Sequence, residues 1–152
     1  MSITLLLSNS YTVGRAKRDT IHEAVKNALI KDGWTITDDP YRIEYEEVKL
    51  YADLAAERPF AAERAGQKIV VEVKSFLNLS PIHDFEMALG QYNVYRELLT
   101  LVAPERKLYL AVSHLLEDNF LSGKAIQLII HQQKLSLVLI NIADEEINKW
   151  IS

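Results

Sequence analysis

The residues best suited to chemistry lie in one stretch, Tyr51 to Phe76, which reads YADLAAERPFAAERAGQKIVVEVKSF. Glu72 and Lys74 stand two apart, and Glu72 lies inside the run Ile69 to Val73. On a strand they point to one face, roughly 6.7 Å apart along it. A carboxylate and an ammonium on so apolar a strand are costly unless they are paired or used. Asp53 sits on an earlier strand, and a meander would bring it to Glu72. Two carboxylates held together repel, and a hard divalent cation relieves the repulsion. Mg²⁺, or Mn²⁺ in its place, suits such a pair, because Mg²⁺ takes one or two carboxylates and keeps several waters. An ion there polarises a phosphate oxygen and makes bound water more acidic. Lys74 would orient that water or stabilise the developing charge. The spacing alone does not single the pair out, since Glu47-Val48-Lys49 and Glu105-Arg106-Lys107 share it. Only Glu72 and Lys74 have the dense valine context. The competing use is a buried ion pair that fixes strand register. Downstream, Gln91 and Tyr95 are four apart and share a helix face. Either they reach the strand tips, or Tyr92 and Tyr95 are core aromatics and Gln91 is solvated.

These residues need elements to hold them. Thr20-x-x-Glu23 reads as a capping box opening a helix from Ile21 to Asp32, which Gly33 ends. Ile21, Ala24, Val25, Ala28 and Leu29 form its apolar stripe. Strands are expected at Trp34–Thr37, Tyr41–Glu46, Val48–Ala55, Phe60–Arg64 and Gln67–Lys74, with turns at Asp38-Asp39-Pro40 and Ala65-Gly66. Ser80 then caps a helix with Pro81 at its first position. This helix runs to about Thr100, with Ile82, Phe85, Leu89, Tyr92 and Leu99 inward. A strand at Lys107–Val112 follows, then helix from Leu115 to Gln133, broken near Ser122-Gly123. A buried strand at Leu135–Ile140 comes next, and a short last helix capped by Asp144 carries Trp150. The order of elements gives an α/β sandwich with a mixed sheet.

With 152 residues the chain has the length of one domain. It has no cysteine, so disulfides, thiolate zinc sites and cysteine nucleophiles are excluded. Net charge is −4. Residues 1–76 hold 11 basic and 12 acidic side chains, and residues 77–152 hold 6 and 9. Neither half is basic, which argues against affinity built on broad phosphate neutralisation. A small basic patch or a metal-assisted cleft stays open, and Arg15, Lys17 and Arg18 form the one short basic cluster. No apolar run approaches the ~20 residues of a membrane span. Met1 to Gly14 has no charged side chain and no basic start before Leu5-Leu6-Leu7. It reads as a weakly ordered or strand-like leader rather than a signal peptide, and cytoplasm is the expected compartment.

The segments IHEAVKNALIKDGWTITDDP, YADLAAE, KIVVEVKSF and MALGQYNVYR resemble the fdxN element excision controlling factor family, the XisH proteins of cyanobacteria. The resemblance runs from about Arg15 to the C-terminus. It implies residues 1–14 as an N-terminal extension and residues 15–152 as a single domain. The family in turn resembles the PD-(D/E)xK nuclease superfamily. That implies a restriction-endonuclease-like three-layer sandwich, a mixed central sheet flanked by helices. On this resemblance Asp53 matches the motif's aspartate, Glu72 its second acid and Lys74 its lysine. Gln91 and Tyr95 match the Q-h-x-x-Y motif of the exonuclease and Cas-type branches. Many superfamily members carry a glutamate in the first helix, eleven residues before the glycine that ends it. Counting back from Gly33 reaches His22, so a histidine stands where that metal-holding acid would be, and Glu23 is the cap partner of Thr20.

The expectation is a Mg²⁺- or Mn²⁺-dependent DNA nuclease-fold protein of element excision. Asp53, Glu72 and Lys74 would be catalytic and Asp53 and Glu72 would hold the metal. Gln91, Tyr95 and His22 would support them, and Arg15, Lys17 and Arg18 would touch DNA. Expected partners are DNA, a companion excision-control protein, a recombinase and a second copy of the chain. The alternative is an inactive regulatory or partner-binding module of the same machinery. A third reading is a small α/β domain of a toxin-like or defence-like pair. The other histidines, His83, His114 and His131, read as structural or solvated. No phosphate-binding glycine loop is present.

Overall fold

The computed structural model describes the backbone of residues 3–58 and 66–152, and side chains within those ranges from residue 17 onward. Helix α1 spans Ile3–Lys31. Its stripe buries Ala24, Val25, Ala28 and Leu29, as the apolar spacing requires. Gly33 ends it with φ +94°, a conformation that L side chains rarely adopt. The Gly33 and Trp34 amides then return to the carbonyls of Ile30 and Leu29, each at 3.0 Å. Two expectations fail at the other end. Residues 3–14 are helical rather than a strand-like leader, and Thr20 and Glu23 lie inside α1, not at its start. A charge-free stretch carries no start signal, and here it simply extends the helix.

The strands are β1 (Thr35–Asp38), β2 (Tyr41–Tyr45), β3 (Val48–Ala52), β4 (Leu54–Arg58), β5 (Gln67–Val73), β6 (Arg106–Ser113), β7 (Leu137–Asn141) and β8 (Glu146–Ile151). Helix α2 spans Pro81–Val102 and α3 spans Lys124–Gln132, preceded by one π-helical turn at Glu117–Leu121. Six strands form one mixed sheet in the order β1-β4-β5-β6-β7-β8, while β2 and β3 form a separate ribbon. Within the large sheet β5, β6 and β7 are parallel and the remaining pairs antiparallel. Ile69, Val70 and Val71 have no exposed surface, because β5 is covered on both faces. On one face α1 and Trp34 pack against Leu54, Ile69 and Val71. On the other, α2 and α3 pack with the β2–β3 ribbon against Val70, Leu108 and Leu110.

The expected strand from Val48 to Ala55 is two strands. The chain leaves the ribbon after Ala52, bends at Asp53 and enters the large sheet at Leu54. The expected last helix is strand β8. Asn141 and Asp144 bond each other across a turn, with Asp144 N to Asn141 Oδ1 at 3.1 Å, so Asp144 closes a hairpin instead of capping a helix. The physical reason is β7, whose buried residues Leu137 to Ile140 leave an edge that needs a partner. Trp150 then packs on Trp34 and Tyr109, ring centroids 5.8 and 4.9 Å away. Ile82, expected inward, is exposed, and Ala88 and Tyr95 join Phe85, Tyr92 and Leu99 on the buried face of α2. The expected strand Phe60–Arg64 and Ala65 of the Ala65-Gly66 turn lie outside the described residues. Among the described residues no helix is long and apolar enough to cross a membrane.

Candidate active site

Glu72 ends the buried part of β5, and only 6% of it is exposed. The pairing of Leu54 with Val71 puts Asp53 opposite this end of the strand. Because the chain turns away at Asp53, its carboxylate replaces a ladder carbonyl. Val73 N donates to Asp53 Oδ2 at 2.7 Å. On the other side of β5 the Lys74 amide donates to Ala111 O at 2.9 Å. The end of β5 is thus pinned from both neighbours, and Asp53, Glu72 and Lys74 line one cleft of about 470 Å³.

The electrostatics fit two acids forced together. Burial pushes the Glu72 carboxyl up to about 9, and the hydrogen bonding and charge of Asp53 add to this, while Lys74 opposes it. Glu72 Oε2 is buried with no hydrogen-bond partner. An orphaned carboxylate oxygen beside a second carboxylate is a hard, oxygen-only donor set, which suits Mg²⁺ or Mn²⁺.

His22 reaches the same place from α1. Its Nδ1 lies 3.6 Å from Asp53 Oδ1, and its Nε2 lies 2.9 Å from Asp39 Oδ1. Lys26 Nζ donates to Asp39 Oδ2 at 2.9 Å. Burial would raise the Asp39 carboxyl, but Lys26 and His22 hold it below its ordinary value. His22, Glu23 and Asp39 are the one group of three metal-type ligands among the described residues, with atoms within 4.8 Å. Lys26 already neutralises its aspartate.

Gln91 and Tyr95 are brought together, with Gln91 Nε2 donating to Tyr95 Oη at 2.9 Å. Tyr95 in turn donates to Tyr51 O at 3.1 Å, two residues before Asp53. Burial raises the Tyr95 phenol, and the charges of Glu72 and Asp53 raise it further. The Tyr95 ring is buried among the core aromatics and its hydroxyl meets the bend that carries Asp53, while Gln91 is half-buried and bonded to Tyr95 instead of solvated. Of the basic cluster, Arg18 lines the cleft and Lys17 is exposed beside it on α1. The Arg15 side chain lies outside the described residues. His83 lines the cleft, and its amide meets Ser80 Oγ at 3.4 Å in the N-terminal cap of α2.

Sequence reasoning missed Asp39 and Lys26 as parts of this network. Asp39 carried only a turn signal before Pro40, and nothing short of the β1–β4 pairing places that turn beside α1.

None of the curated proteins matches the chain. Two crystal structures do. One, of an XisH family protein from Nostoc punctiforme, is 40% identical with a TM-score of 0.80, covering 88% of this chain and 99% of that one. The other, of an fdxN element excision controlling factor protein from Anabaena variabilis, is 44% identical with a TM-score of 0.80, covering 89% and 100%. The family model for XisH protein matches residues 15–148. A match over most of the chain, with two relatives at this identity and coverage, establishes that the protein belongs to the XisH family.

Proposed function

We propose that this chain is a divalent-metal-dependent DNA nuclease of PD-(D/E)xK type, on a restriction-endonuclease-like sandwich, acting in DNA element excision. The observation that carries the reading is the orphaned Glu72 Oε2 beside Asp53, with Lys74 in the same cleft. Asp53 and Glu72 would hold Mg²⁺ or Mn²⁺, which supplies Lewis acidity toward a phosphate oxygen and the attacking water. The chain's own groups do the rest. Lys74 stabilises charge developing on the phosphate or holds the water in line. Val73 N fixes the Asp53 carboxylate, His22 Nδ1 stands 3.6 Å from it, and Tyr95, held by Gln91, fixes the bend behind it. Arg18, with Lys17 beside it and Arg15 earlier in α1, contacts the DNA backbone. One such cleft cuts one strand, so a homodimer is the working form for duplex cleavage.

The excision role rests on the Anabaena variabilis relative, an fdxN element excision controlling factor. That description favours a second reading, in which the fold regulates excision by binding DNA, a companion protein or the recombinase without cutting. Incubation of plasmid and branched DNA with Mg²⁺ or Mn²⁺ separates the two. Metal-dependent cutting that falls at least a hundredfold in Lys74→Ala supports the nuclease. Identical behaviour of the two proteins, with no metal-dependent product, rejects it in favour of the regulatory module.

A further inference from the structure

The cleft of Asp53 and Glu72 is walled by helices from opposite faces of the sheet. Arg18, Asp19 and His22 line it from α1, and His83, Asp84 and Met87 line it from α2. Between them the chain leaves β5 through Lys74, and Ser75, Phe76, Leu77 and Asn78 complete the wall. The α1 side is charged and polar. On the other side the outer surface turns apolar, with Leu77, Ile82 and Met87 exposed and Leu79 fully so. Single exposed apolar residues are ordinary, but a cluster of them beside one cleft marks a surface for contact.

This lip is held in place. Phe76 has φ +50°, a conformation that an L residue keeps only where its surroundings fix it. Its ring packs on Phe120 with centroids 6.3 Å apart, and Phe120 packs on Phe85 of α2 at 5.6 Å. Asn78 is tied twice to Asp84, its backbone N–H to Oδ2 at 3.2 Å and its Nδ2 to Oδ1 at 2.6 Å. Ser80 caps α2, its Oγ accepting from His83 N at 3.4 Å. Leu79 thus projects into solvent with a pinned residue on each side. An apolar group fixed before contact loses little freedom on binding. The acid on this side, Asp84, is engaged by Asn78.

A nucleotide has the two chemistries that this cleft sets side by side. Its phosphate is a hard anion, suited to a metal at Asp53 and Glu72 and to Lys74 and Arg18. Its base has an apolar face. In intact duplex that face is covered by stacked neighbours, and the lip would meet phosphate oxygens, which are costly to bury against leucine. An unpaired nucleotide offers the face itself, and Leu, Ile, Met and Phe are side chains that enter between unstacked bases. Among the described side chains Arg18 and Lys74 are the cations lining the cleft, so an apolar contact adds affinity that charge does not. A protein seated on the lip would close the cleft, because Leu77 and Met87 line it together with Glu72 and Lys74.

We propose that Leu77 and Leu79, with Ile82 and Met87 beside them, seat an unpaired base of the strand whose phosphate lies in the cleft. The substrate class is then DNA with unpaired nucleotides, a fork, flap or frayed end, in preference to intact duplex. This rests on the reading of the cleft as a DNA site. Anisotropy of the full chain, with Ca²⁺ in place of Mg²⁺, tests it on three probes. These are a blunt duplex, the same duplex with an unpaired arm, and that fork with an abasic arm, which keeps the phosphates and removes the bases. The base-bearing fork is expected to bind roughly tenfold tighter than the other two, the effect of one base contact. Leu77→Ser with Leu79→Ser should remove that preference and leave duplex and abasic affinities within about twofold, since no phosphate contact is lost. Both leucines are exposed, so the double variant tests contact rather than folding, and Leu79→Met alone should keep the preference. Equal binding of the two forks overturns the proposal while leaving DNA in the cleft. A preference that survives the double variant also overturns it and leaves the lip to a protein partner. Binding of none of the probes overturns the DNA reading of the cleft, and the role of the lip with it.

Discussion

Glu72 carries the conflict on which the reading of the cleft depends. Its carboxyl is held near 9 in the fold, chiefly by burial, against an ordinary value of 4.5 once unfolded. Between those values the metal-free folded chain keeps a proton that the unfolded chain releases. Stability of the metal-free protein therefore falls as pH rises through that window, by at most about 1.4 kcal/mol per pH unit from this one group. Urea unfolding in EDTA at pH 6 and pH 8 should show the decline, and Glu72→Gln should flatten it. Equal slopes in the two proteins would remove Glu72 as the cause. A cation competes with the same proton, so apparent Mn²⁺ affinity should climb between pH 6 and 8 in the wild type and be weak throughout in Glu72→Gln. At this scale much was legible. The two-residue period of a strand and a valine context were enough to set Glu72 and Lys74 apart from two look-alike triplets. Asp39 was not legible, because its meeting with His22 at 2.9 Å depends on where α1 crosses the sheet end, and no local pattern encodes that.

The elements show what local signals can and cannot carry. Ser80 and Pro81 open α2 and Gly33 closes α1, as cap chemistry dictates. The break at Asp53 has no local signal, because Val48 to Ala55 reads as continuous strand. Only the competition between the ribbon and the large sheet for its two halves divides it. Edge pairing made Glu146–Ile151 strand β8, since β7 needed an edge partner more than Asp144 needed a helix. Helix α2 matters most here, as it ties several strands together. Tyr92 Oη donates to Leu108 O at 3.1 Å and accepts from Ser136 N at 3.2 Å, joining β6 to the start of β7. Tyr92→Phe strands both buried backbone groups, so a loss of about 2 kcal/mol is expected, read as a lower urea midpoint with unchanged m-value. A loss below about 0.5 kcal/mol would mean that water replaces the hydroxyl and that the clamp contributes little. The variant keeps the Tyr95 support of Asp53, so metal affinity at the cleft should not move with it.

For the molecule as a whole, the net charge of −4 decides how a DNA-binding cleft must work. Many of its cations are already committed. Arg58 pairs with Asp32 and stacks over Trp34, Arg42 pairs with Glu44, Lys26 with Asp39 and Lys149 with Glu117. Among the described side chains, the basic groups at the cleft are Arg18 and Lys74, with Lys17 adjacent on α1. With Arg15 earlier in α1, roughly four phosphate contacts per chain give a slope of about −3.6 in log affinity against log salt, or about a 150-fold loss between 50 and 200 mM. Fluorescence anisotropy on a short duplex, with Ca²⁺ in place of Mg²⁺ to hold the acids without cutting, should give that slope for a chain acting alone. A symmetric dimer on one duplex should give about twice that value, because each copy brings its own contacts. A much steeper slope, or tight duplex binding by the isolated chain at physiological salt, would require a broad basic surface that the described residues do not form. The shallow slope leaves little electrostatic affinity to one copy. A second copy or a more basic partner is then what brings Asp53 and Glu72 to their phosphate.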